Sequence, residues 1–483
     1  MTEQPFGYKR RQSDEVCVGD LRIGGDNPIR VQSMTTTSTL DTDGSVEQAC
    51  RIIDAGGELV RLTTQGTKEA ENLRNISAGL REKGYHTPIV ADVHFNPNVA
   101  EVAALYAQKV RINPGNYVDP ARTFKQIEYT DEQYADELQK IERRFLPLIN
   151  LCKAHHTALR IGVNHGSLSD RIMSRYGDTP EGIVESCMEF LRILKRERFN
   201  DVLISIKASN TVVMVQSVRL LVECMEREQM HYPLHLGVTE AGEGEDGRVR
   251  SAVGIGALLT EGIGDTIRVS LSEEPEAEIP VAKTLVRLIE PCAKLRAMAE
   301  NGEWKEDGEY CRLDGSMLRL HVQATDWEEL QLKASMACGA LLIDRKAKDL
   351  VITTDDARFS AEKLQALADN ILQAARIKFT KTEYISCPGC GRTLYNLRDT
   401  ILRIKEATQH LTGLKIAIMG CIVNGPGEMA DADYGYVGAA RGRISLYRQK
   451  VCVEKNIPEE EAVEKLLQLI QNDQVAAGNG VSG

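Results

Sequence analysis

Short apolar segments alternate with longer amphipathic segments over residues 21–290. Each short segment is rich in Val, Ile and Leu, which favour β-strands, and helical patterns lie between them. Strands alternating with helices predict a parallel sheet, and eight repeats in this length predict an α/β fold, a (β/α)₈ TIM barrel. A doubly wound open sheet is the structural alternative. The eight predicted strands are Arg30–Met34, Leu59–Thr64, Pro88–Phe95, Lys109–Asn113, Ala158–Asn164, Val202–Ser209, Leu234–Glu240 and Thr266–Ser270.

Helical patterns with an apolar stripe fill four of the connections between these strands. A further connection, residues 118–147, is polar and helix-prone, and it is longer than a simple crossover requires. The four amphipathic helices are predicted at Ser45–Ala55, Thr67–Lys83, Pro180–Lys195 and Thr211–Glu228.

The C-terminal ends of the predicted strands are unusually polar. In TIM barrels these ends surround the active site at one mouth of the barrel. Many of the polar pairs are spaced two residues apart, so both side chains point to the same face. Four arginines and a lysine meeting there predict a site for a multiply charged anion, because arginine matches phosphate oxygens. For any single arginine, a salt bridge in the barrel core is an equal alternative. The strand-end residues are Arg61, Thr63, Asp92, His94, Arg111, Asn113, Arg160, Asn164, Lys207, Ser209, Thr239, Glu240, Arg268 and Ser270.

Three cysteines and a glutamate lie on two turns rich in Gly and Pro near the C-terminal end. Cys387 and Cys390 form a Cys-x-x-Cys turn, and Cys421 and Glu428 belong to the second turn. Thiolates select zinc, copper(I) or iron–sulfur clusters, and a [4Fe–4S] cluster usually has four of them. No fourth cysteine lies beside the third, so Glu428 is the nearest oxygen ligand, and a weak ligand suits a cluster that binds substrate. A structural zinc with Cys452 as fourth ligand, a redox dithiol, and a turn with buried thiols remain alternatives.

Residues 291–380 separate the predicted barrel from the cysteine turns. Strand-like runs at 318–323, 340–343 and 349–354, with helical runs at 326–337 and 360–379, predict a small α+β insert. In the C-terminal region, the predicted elements are strands at Lys415–Met419, Ile444–Tyr447 and Lys450–Glu454 and a helix at Pro458–Asn472. The predicted organisation is a loose lead-in (1–20), the barrel (21–290), the insert (291–380), an α+β cluster domain (381–472) and a disordered tail (473–483).

Composition and charge narrow the class of protein. The chain has 483 residues, of which 42% are hydrophobic and 27% charged, as in ordinary globular proteins. No apolar run has the length of a membrane span, and the polar N-terminus lacks a secretory signal, so we expect a cytoplasmic protein without a membrane partner. Its twelve cysteines then favour metal binding, packing or catalysis over disulfides. A net charge of −11 argues against a nucleic-acid partner.

Both cysteine turns closely resemble the 4-hydroxy-3-methylbut-2-enyl diphosphate synthase family, the iron–sulfur enzyme of the methylerythritol phosphate route to isoprenoids. The two motifs read Cys-Pro-Gly-Cys-Gly-Arg at 387–392 and Met-Gly-Cys-Ile-Val-Asn-Gly-Pro-Gly-Glu at 419–428. The resemblance covers roughly residues 20–290 and 380–455. Within the family, the chain is similar to the plant-type members, which also carry an insert, usually a larger one. The barrel motifs that share the resemblance lie at 31–35, 91–96, 110–116, 160–168, 236–242 and 264–271.

The resemblance implies a ligand set and a substrate site. It implies one [4Fe–4S] cluster per chain, held by Cys387, Cys390, Cys421 and Glu428, and a substrate that is 2-C-methyl-D-erythritol 2,4-cyclodiphosphate. The residues implied to hold the diphosphate are Arg61, Arg111, Arg160, Lys207, Arg268 and Ser270. The residues implied to orient the substrate or to lie beside it are Asp92, His94, Asn113, Asn164 and Asn424.

The family reaction is a two-electron reductive ring opening. The C2–O bond to phosphate breaks, water leaves from C3, and an allylic diphosphate forms, with electrons supplied by flavodoxin or ferredoxin. We expect substrate to displace Glu428 from the cluster. We expect Glu240 to donate or relay a proton, and the alternative role of Glu240 is to pair with a pocket arginine. The active site closes either within one chain or across a homodimer. Two other classes stay open: a non-redox barrel enzyme, acting on a phosphorylated or pterin-like substrate, with a structural zinc, and an iron–sulfur electron-transfer or sensor protein.

Overall fold

The computed structural model describes residues 8–479 except 121–122, 124, 303–307, 423–424 and 430–431. The first element is an antiparallel hairpin of β1 (Val16–Val18) and β2 (Leu21–Ile23). Its apolar side chains form one buried cluster with residues near the starts of four barrel strands, Leu59, Val90, Ala158 and Leu203. The expected loose lead-in over residues 1–20 is therefore wrong for residues 16–20, because the hairpin covers the N-terminal end of the barrel.

Eight parallel strands form the predicted TIM barrel. Their order is β8-β7-β6-β5-β4-β3-β10-β9, and a parallel bridge between Ile204 and Leu234 joins the two ends of the series. The sheet thus closes on itself, which excludes the doubly wound alternative, and each strand falls within one of the eight predicted segments. The strands are β3 (Arg30–Met34), β4 (Leu59–Thr64), β5 (Ile89–Val93), β6 (Lys109–Ile112), β7 (Ala158–Asn164), β8 (Val202–Lys207), β9 (His235–Leu236) and β10 (Thr266–Ile267).

Helices surround the barrel and many begin with a side-chain cap. Asn96, Asn113 and Asn210 each accept a backbone N–H at the start of a helix, which satisfies donors that the helix itself leaves free. The polar stretch after β6 forms a helix that Thr130 and Gln133 begin with a capping box. The helices are α1 (Thr42–Asp54), α2 (Thr67–Glu82), α3 (Pro97–Ala103), α4 (Pro114–Tyr117), α5 (Asp131–His155), α6 (Asp170–Tyr176), α7 (Pro180–Arg196), α8 (Thr211–Arg227), α9 (Gly244–Leu259), α10 (Glu278–Arg287) and α11 (Ile289–Asn301).

The insert packs directly on the barrel. It contains a three-stranded sheet of order β11-β12-β13 and two helices, and its core belongs to the same hydrophobic cluster as the barrel helices. Residues 340–343, predicted as a strand, form the end of a helix instead. That helix is buried on nearly all sides, so its apolar run shows no helical period. The elements are β11 (Tyr310–Asp314), β12 (Met317–His321), α12 (Trp327–Ile343), β13 (Asp349–Thr353) and α13 (Ala361–Ala374).

The C-terminal domain is a five-stranded mixed sheet with helices on it. Strands β14, β15 and β16 are parallel, whereas β17 and β18 are antiparallel to their neighbours. The last helix continues to Asn479, so the disordered tail expected from residue 473 is wrong over 473–479, and residues 480–483 lie outside the described part. The elements are β14 (Glu383–Ser386), α14 (Leu397–Thr408), β15 (Lys415–Met419), α15 (Gly425–Glu428), β16 (Tyr434–Ala440), β17 (Arg443–Arg448), β18 (Val451–Pro458) and α16 (Glu459–Asn479).

No helix in the described part of the chain combines the length and the apolar character needed to cross a membrane.

Candidate active site

A cavity of about 770 Å³, partly open to solvent, lies between the barrel mouth and the two cysteine turns. Barrel and cluster domain of the same chain both contribute to its walls. Most of the residues predicted from the sequence line this cavity. They are Arg61, Asp92, His94, Arg111, Arg160, Asn164, Lys207, Glu240, Arg268, Ser270, Cys387, Cys390 and Cys421.

A buried carboxylate is the centre of the charge network at the barrel mouth. Asp92 Oδ1 accepts a hydrogen bond from Arg111 Nη1 at 2.8 Å, and its Oδ2 lies 4.0 Å from Arg61 Nε. Burial raises the pKa of Asp92, but Arg111 and Arg61 outweigh burial and hold that pKa well below its usual value. Burial, and then Arg111, lower the pKa of the neighbouring His94 to about 3. Asp92 is therefore ionised and His94 neutral at pH 7.

The positively charged side chains of the cavity differ in whether a carboxylate pairs with them. Arg268 is fully paired: its Nε and Nη2 each lie 2.9 Å from an oxygen of Glu278. Arg160 is 1% exposed, and neither its Nε nor its Nη1 has a hydrogen-bond partner among the described residues. Burial, and then Arg61, lower the pKa of Lys207 well below its usual value. Arg268 is thus salt-bridged to Glu278 while it lines the cavity, whereas Arg160 has donors left for an anion.

The thiols reach the cavity because their turns follow neighbouring parallel strands. β14 precedes Cys387 and β15 precedes Cys421, so both turns leave the same edge of the sheet. The Cys387 sulfur accepts the Gly420 backbone N–H at 3.2 Å. On the barrel side, Ser272 donates to the Cys387 carbonyl at 3.1 Å. These contacts fix the Cys-x-x-Cys turn to both domains.

Two buried carboxyl groups lie close to each other: Glu240 lines the cavity, whereas Glu428 is not among the lining residues. Glu428 Oε2 accepts a hydrogen bond from Thr239 at 3.3 Å, and its Oε1 is buried without a partner in the described residues. Glu240 adopts a left-handed backbone, with φ of 50°, directly after Thr239. Burial raises the pKa of Glu240 to about 7. The pKa of Glu428 is raised well above its usual value, first by burial and then by the nearby charge of Glu240. Within the described residues Glu240 forms no ion pair, which opposes the alternative of arginine pairing.

Backbone contacts set the position of Glu240 and Glu428. Arg250 Nη1 donates both to the Glu240 carbonyl at 3.2 Å and to the Tyr384 carbonyl at 3.0 Å, so it joins the barrel to β14. On the other side, Gly166 of the barrel lies against Gly427. A Cβ on Gly427 would be 1.4 Å from the Gly166 carbonyl oxygen, so only glycine allows this approach.

Among the described residues, the predicted Asn113 and Glu428 are absent from the cavity lining, and other residues are added to it. Asn113 is not among the lining residues: it caps α4, and its amide donates to Ser167 at 2.7 Å. Asn424 lies outside the described residues. Arg392 lines the cavity although it was not among the predicted site residues, and Thr239, predicted only as a strand-end residue, lines it too. Arg392 is the last residue of the motif at 387–392, two residues after Cys390, and its place in that motif was the sequence signal that could have identified it as a site residue.

The donor set fits an iron–sulfur cluster. Three thiols share one wall, and Glu428 presents a buried oxygen with no partner in the described part of the chain. Among the described residues, no three His, Cys, Asp or Glu side chains are grouped as around a single metal ion. Cys452, the fourth ligand of the zinc alternative, lies on β18 outside the cavity lining and contacts the Glu454 carbonyl.

Comparison with known families agrees with this arrangement. The GcpE TIM-barrel domain matches residues 13–283, and the GcpE protein C-terminal domain matches residues 383–472. The chain belongs to the GcpE family. The matched ranges include the strand-end cations, both cysteine turns and Glu428, and they leave out the whole insert.

Relatives in this family extend over nearly the whole chain. The protein named 4-hydroxy-3-methylbut-2-en-1-yl diphosphate synthase (flavodoxin) from Bacteroides fragilis is 52% identical, with 96% of each chain covered. Proteins of the same name from Porphyromonas gingivalis and Akkermansia muciniphila are 46% and 41% identical, and 97% of this chain is covered in both cases, with 98% and 97% of the relatives. The Bacteroides fragilis alignment spans 603 positions, more than the 483 residues here, so that relative has segments that this chain lacks.

Proposed function

We propose that this chain converts 2-C-methyl-D-erythritol 2,4-cyclodiphosphate into 4-hydroxy-3-methylbut-2-enyl diphosphate by two-electron reductive ring opening and loss of water. The observation that carries the proposal is that three thiols and a polycationic barrel mouth line one cavity. A barrel that only bound a phosphorylated ligand would not need the thiols there. The names of the full-length relatives support the same activity.

Cys387, Cys390 and Cys421 would hold a [4Fe–4S] cluster, with Glu428 as the fourth, weaker ligand. When bound, the cluster supplies the two electrons of the reaction. We further propose flavodoxin as the protein that delivers them, since the relatives carry that donor in their names. Thr239, which donates to Glu428, would keep that carboxylate in place while it is not bound.

The barrel residues bind and orient the diphosphate. Arg160 offers two buried donor atoms that have no partner among the described residues, and Arg61 and Lys207 line the same cavity. Arg268 contributes through a guanidinium that Glu278 holds in a fixed orientation. Their positive charge would also stabilise the phosphate oxygen when the C2–O bond breaks.

Glu240 is the group that we assign to proton transfer. Its carboxyl is buried, lines the cavity and has an Oε2 atom without a partner in the described residues. Arg250 donates to its backbone carbonyl, and a bridge between Ala241 and Ser386 joins the next residue to the strand that precedes Cys387. A protonated Glu240 would give its proton to the hydroxyl that leaves C3, so that water and not hydroxide departs.

Metal content and product formation test the proposal. The protein is purified without oxygen, iron and sulfide are measured per chain, and turnover of the cyclodiphosphate is followed with a chemical reductant. We expect about four iron and four sulfide per chain, lost in Cys421→Ala and retained in the control Cys452→Ala, whose sulfur lies outside the cavity lining. Stoichiometric zinc without sulfide after reconstitution would refute the redox reaction. If the protein contains the cluster but forms no product, an iron–sulfur electron-transfer or sensor protein remains as the explanation.

A further inference from the structure

Arg392 belongs to the cluster domain but projects into the barrel cavity. It follows Cys390 by two residues, and its Nη2 lies 3.6 Å from Asp92 Oδ2 on β5. The backbone of this turn is pressed on the barrel loops: Gln65 donates to the Gly391 carbonyl at 3.4 Å. A Cβ on Gly391 would lie 2.7 Å from the Thr37 carbonyl oxygen. The reach of Arg392 into the barrel therefore depends on how closely the two domains approach.

More guanidinium groups surround Asp92 than its one carboxylate can pair with, and the thiols of Cys390 and Cys421 lie near Arg392 as well. One carboxylate faces three guanidinium groups, those of Arg61, Arg111 and Arg392. Arg111 makes the close hydrogen bond at 2.8 Å, and Arg392 stays farther away. The Nε and Nη1 atoms of Arg392 are buried and have no partner among the described residues. Buried cationic donors left without acceptors are unfavourable, so this arrangement favours binding of an anion.

A nearby arginine shows what a purely structural contact looks like at the same interface. Arg398 pairs with Glu274, and its Nη2 donates to the Glu273 carbonyl at 2.8 Å. Its side chain is 39% exposed and it is absent from the cavity lining. Arg392, with 10% exposure and free donors facing the cavity, has the features of a ligand-binding group.

We propose that Arg392 binds the diphosphate of the substrate from the cluster-domain side, so that the ligand joins the two domains. This inference rests on the proposed function for the identity of the ligand. Barrel cations then hold the diphosphate from below, and Arg392 reaches it only when the cluster domain is closed. Diphosphate binding would in this way favour the closed arrangement, in which the thiols face the substrate.

Inorganic pyrophosphate is the probe, because it has the two linked phosphate groups of the ligand and needs no turnover. Its affinity for the anaerobically purified, cluster-containing protein is measured by titration calorimetry for wild type, Arg392→Gln and the matched control Arg398→Gln. We expect the dissociation constant to rise at least about tenfold in Arg392→Gln, because charge-assisted bonds to phosphate are lost, and to stay within about twofold in the control. Iron content and the visible spectrum are recorded on each sample.

Hydrogen exchange supplies a readout that a structural salt bridge would not change. Pyrophosphate should slow amide exchange in the turn of residues 387–396 in wild type and in Arg398→Gln, but not in Arg392→Gln. An unchanged pyrophosphate affinity in Arg392→Gln with its cluster retained would overturn the proposal. If that variant loses its cluster, Arg392→Lys, which keeps the charge, is measured instead; weaker binding supports the proposal, and unchanged binding or a second loss of the cluster overturns it. Wild-type turnover of the cyclodiphosphate tests the proposed function separately.

Discussion

Replacing Gly166 by alanine tests whether the barrel and the cluster domain must touch through bare backbone. Gly166 lies in the short turn His165–Ser167 after β7, opposite Gly427 and Glu428. Its φ is outside the left-handed region, so alanine brings no conformational strain of its own. Any effect of the substitution therefore comes from the added methyl group.

The size of the effect follows from the distances. The new Cβ would lie 2.5 Å from the Glu428 backbone nitrogen and 2.9 Å from the Gly427 carbonyl carbon, whereas ordinary contact begins at 3.4 Å. Neither backbone atom can rotate away, so Glu428 has to move by about 1 Å. A misplacement of about 1 Å in a reacting site costs about 10²-fold in rate. Overpacking of this kind costs about 1–3 kcal/mol of folding free energy.

Reductant-driven turnover and the free energy of unfolding are the two measurements for Gly166→Ala. We expect turnover to fall by about 10²-fold while the protein stays folded and retains iron. Gly66→Ala is the control, since its Cβ would meet only the flexible carboxylate end of Glu69. Turnover of Gly166→Ala within about twofold of wild type would show that the close approach is unnecessary.

Three further predictions concern buried charges. Glu240→Gln should keep the cluster spectrum and lose at least about 10²-fold in turnover; near-normal turnover would remove Glu240 from the mechanism. Arg160→Met should weaken pyrophosphate binding yet raise the melting temperature, because an unpaired buried charge disappears. Arg268→Met should instead lower the free energy of unfolding by about 3–5 kcal/mol, because Glu278 is left buried without its partner. Equal shifts of the melting temperature in the two variants would contradict this. Burial, and then Arg160, lower the pKa of Lys109 in the folded protein. Lys109 therefore holds its proton more weakly in the folded chain than in the unfolded chain. The free energy of unfolding of the wild type should for this reason rise with pH. Lys109→Met should be the more stable protein at pH 7 in guanidinium unfolding, with an advantage that shrinks towards pH 10; an advantage independent of pH would refute the argument.

The parts of the site built on regular strands were predictable from the sequence. Arg61, Arg111 and Arg160 follow the two-residue period of strands whose ends meet at one barrel mouth, so pattern alone brings them together. Asn113 has the same spacing, yet it caps α4 and bonds to Ser167. Spacing along the chain gives the direction of a side chain and leaves open which nearby partner it takes.

Elements set by contacts between domains were harder to predict. Nothing in the local sequence around Arg392 gives its distance to Asp92, which depends on how the cluster domain sits on the barrel. The error at residues 340–343 has a related cause: α12 is buried by the barrel and the insert together, so its sequence shows no amphipathic period. The same tertiary burial makes the hairpin of β1 and β2 part of the barrel core.

The separation of the hydrophobic cores has a consequence for how the domains respond to salt. The barrel and the insert share one core, whereas the cluster domain has its own. Across the boundary, polar contacts such as Arg398 with Glu274 and Lys405 with Glu243 connect the two parts. Ionic strength screens exposed charge pairs and leaves apolar packing largely unaffected. Added salt should therefore weaken the attachment of the cluster domain to the barrel while leaving the packing between barrel and insert largely unchanged.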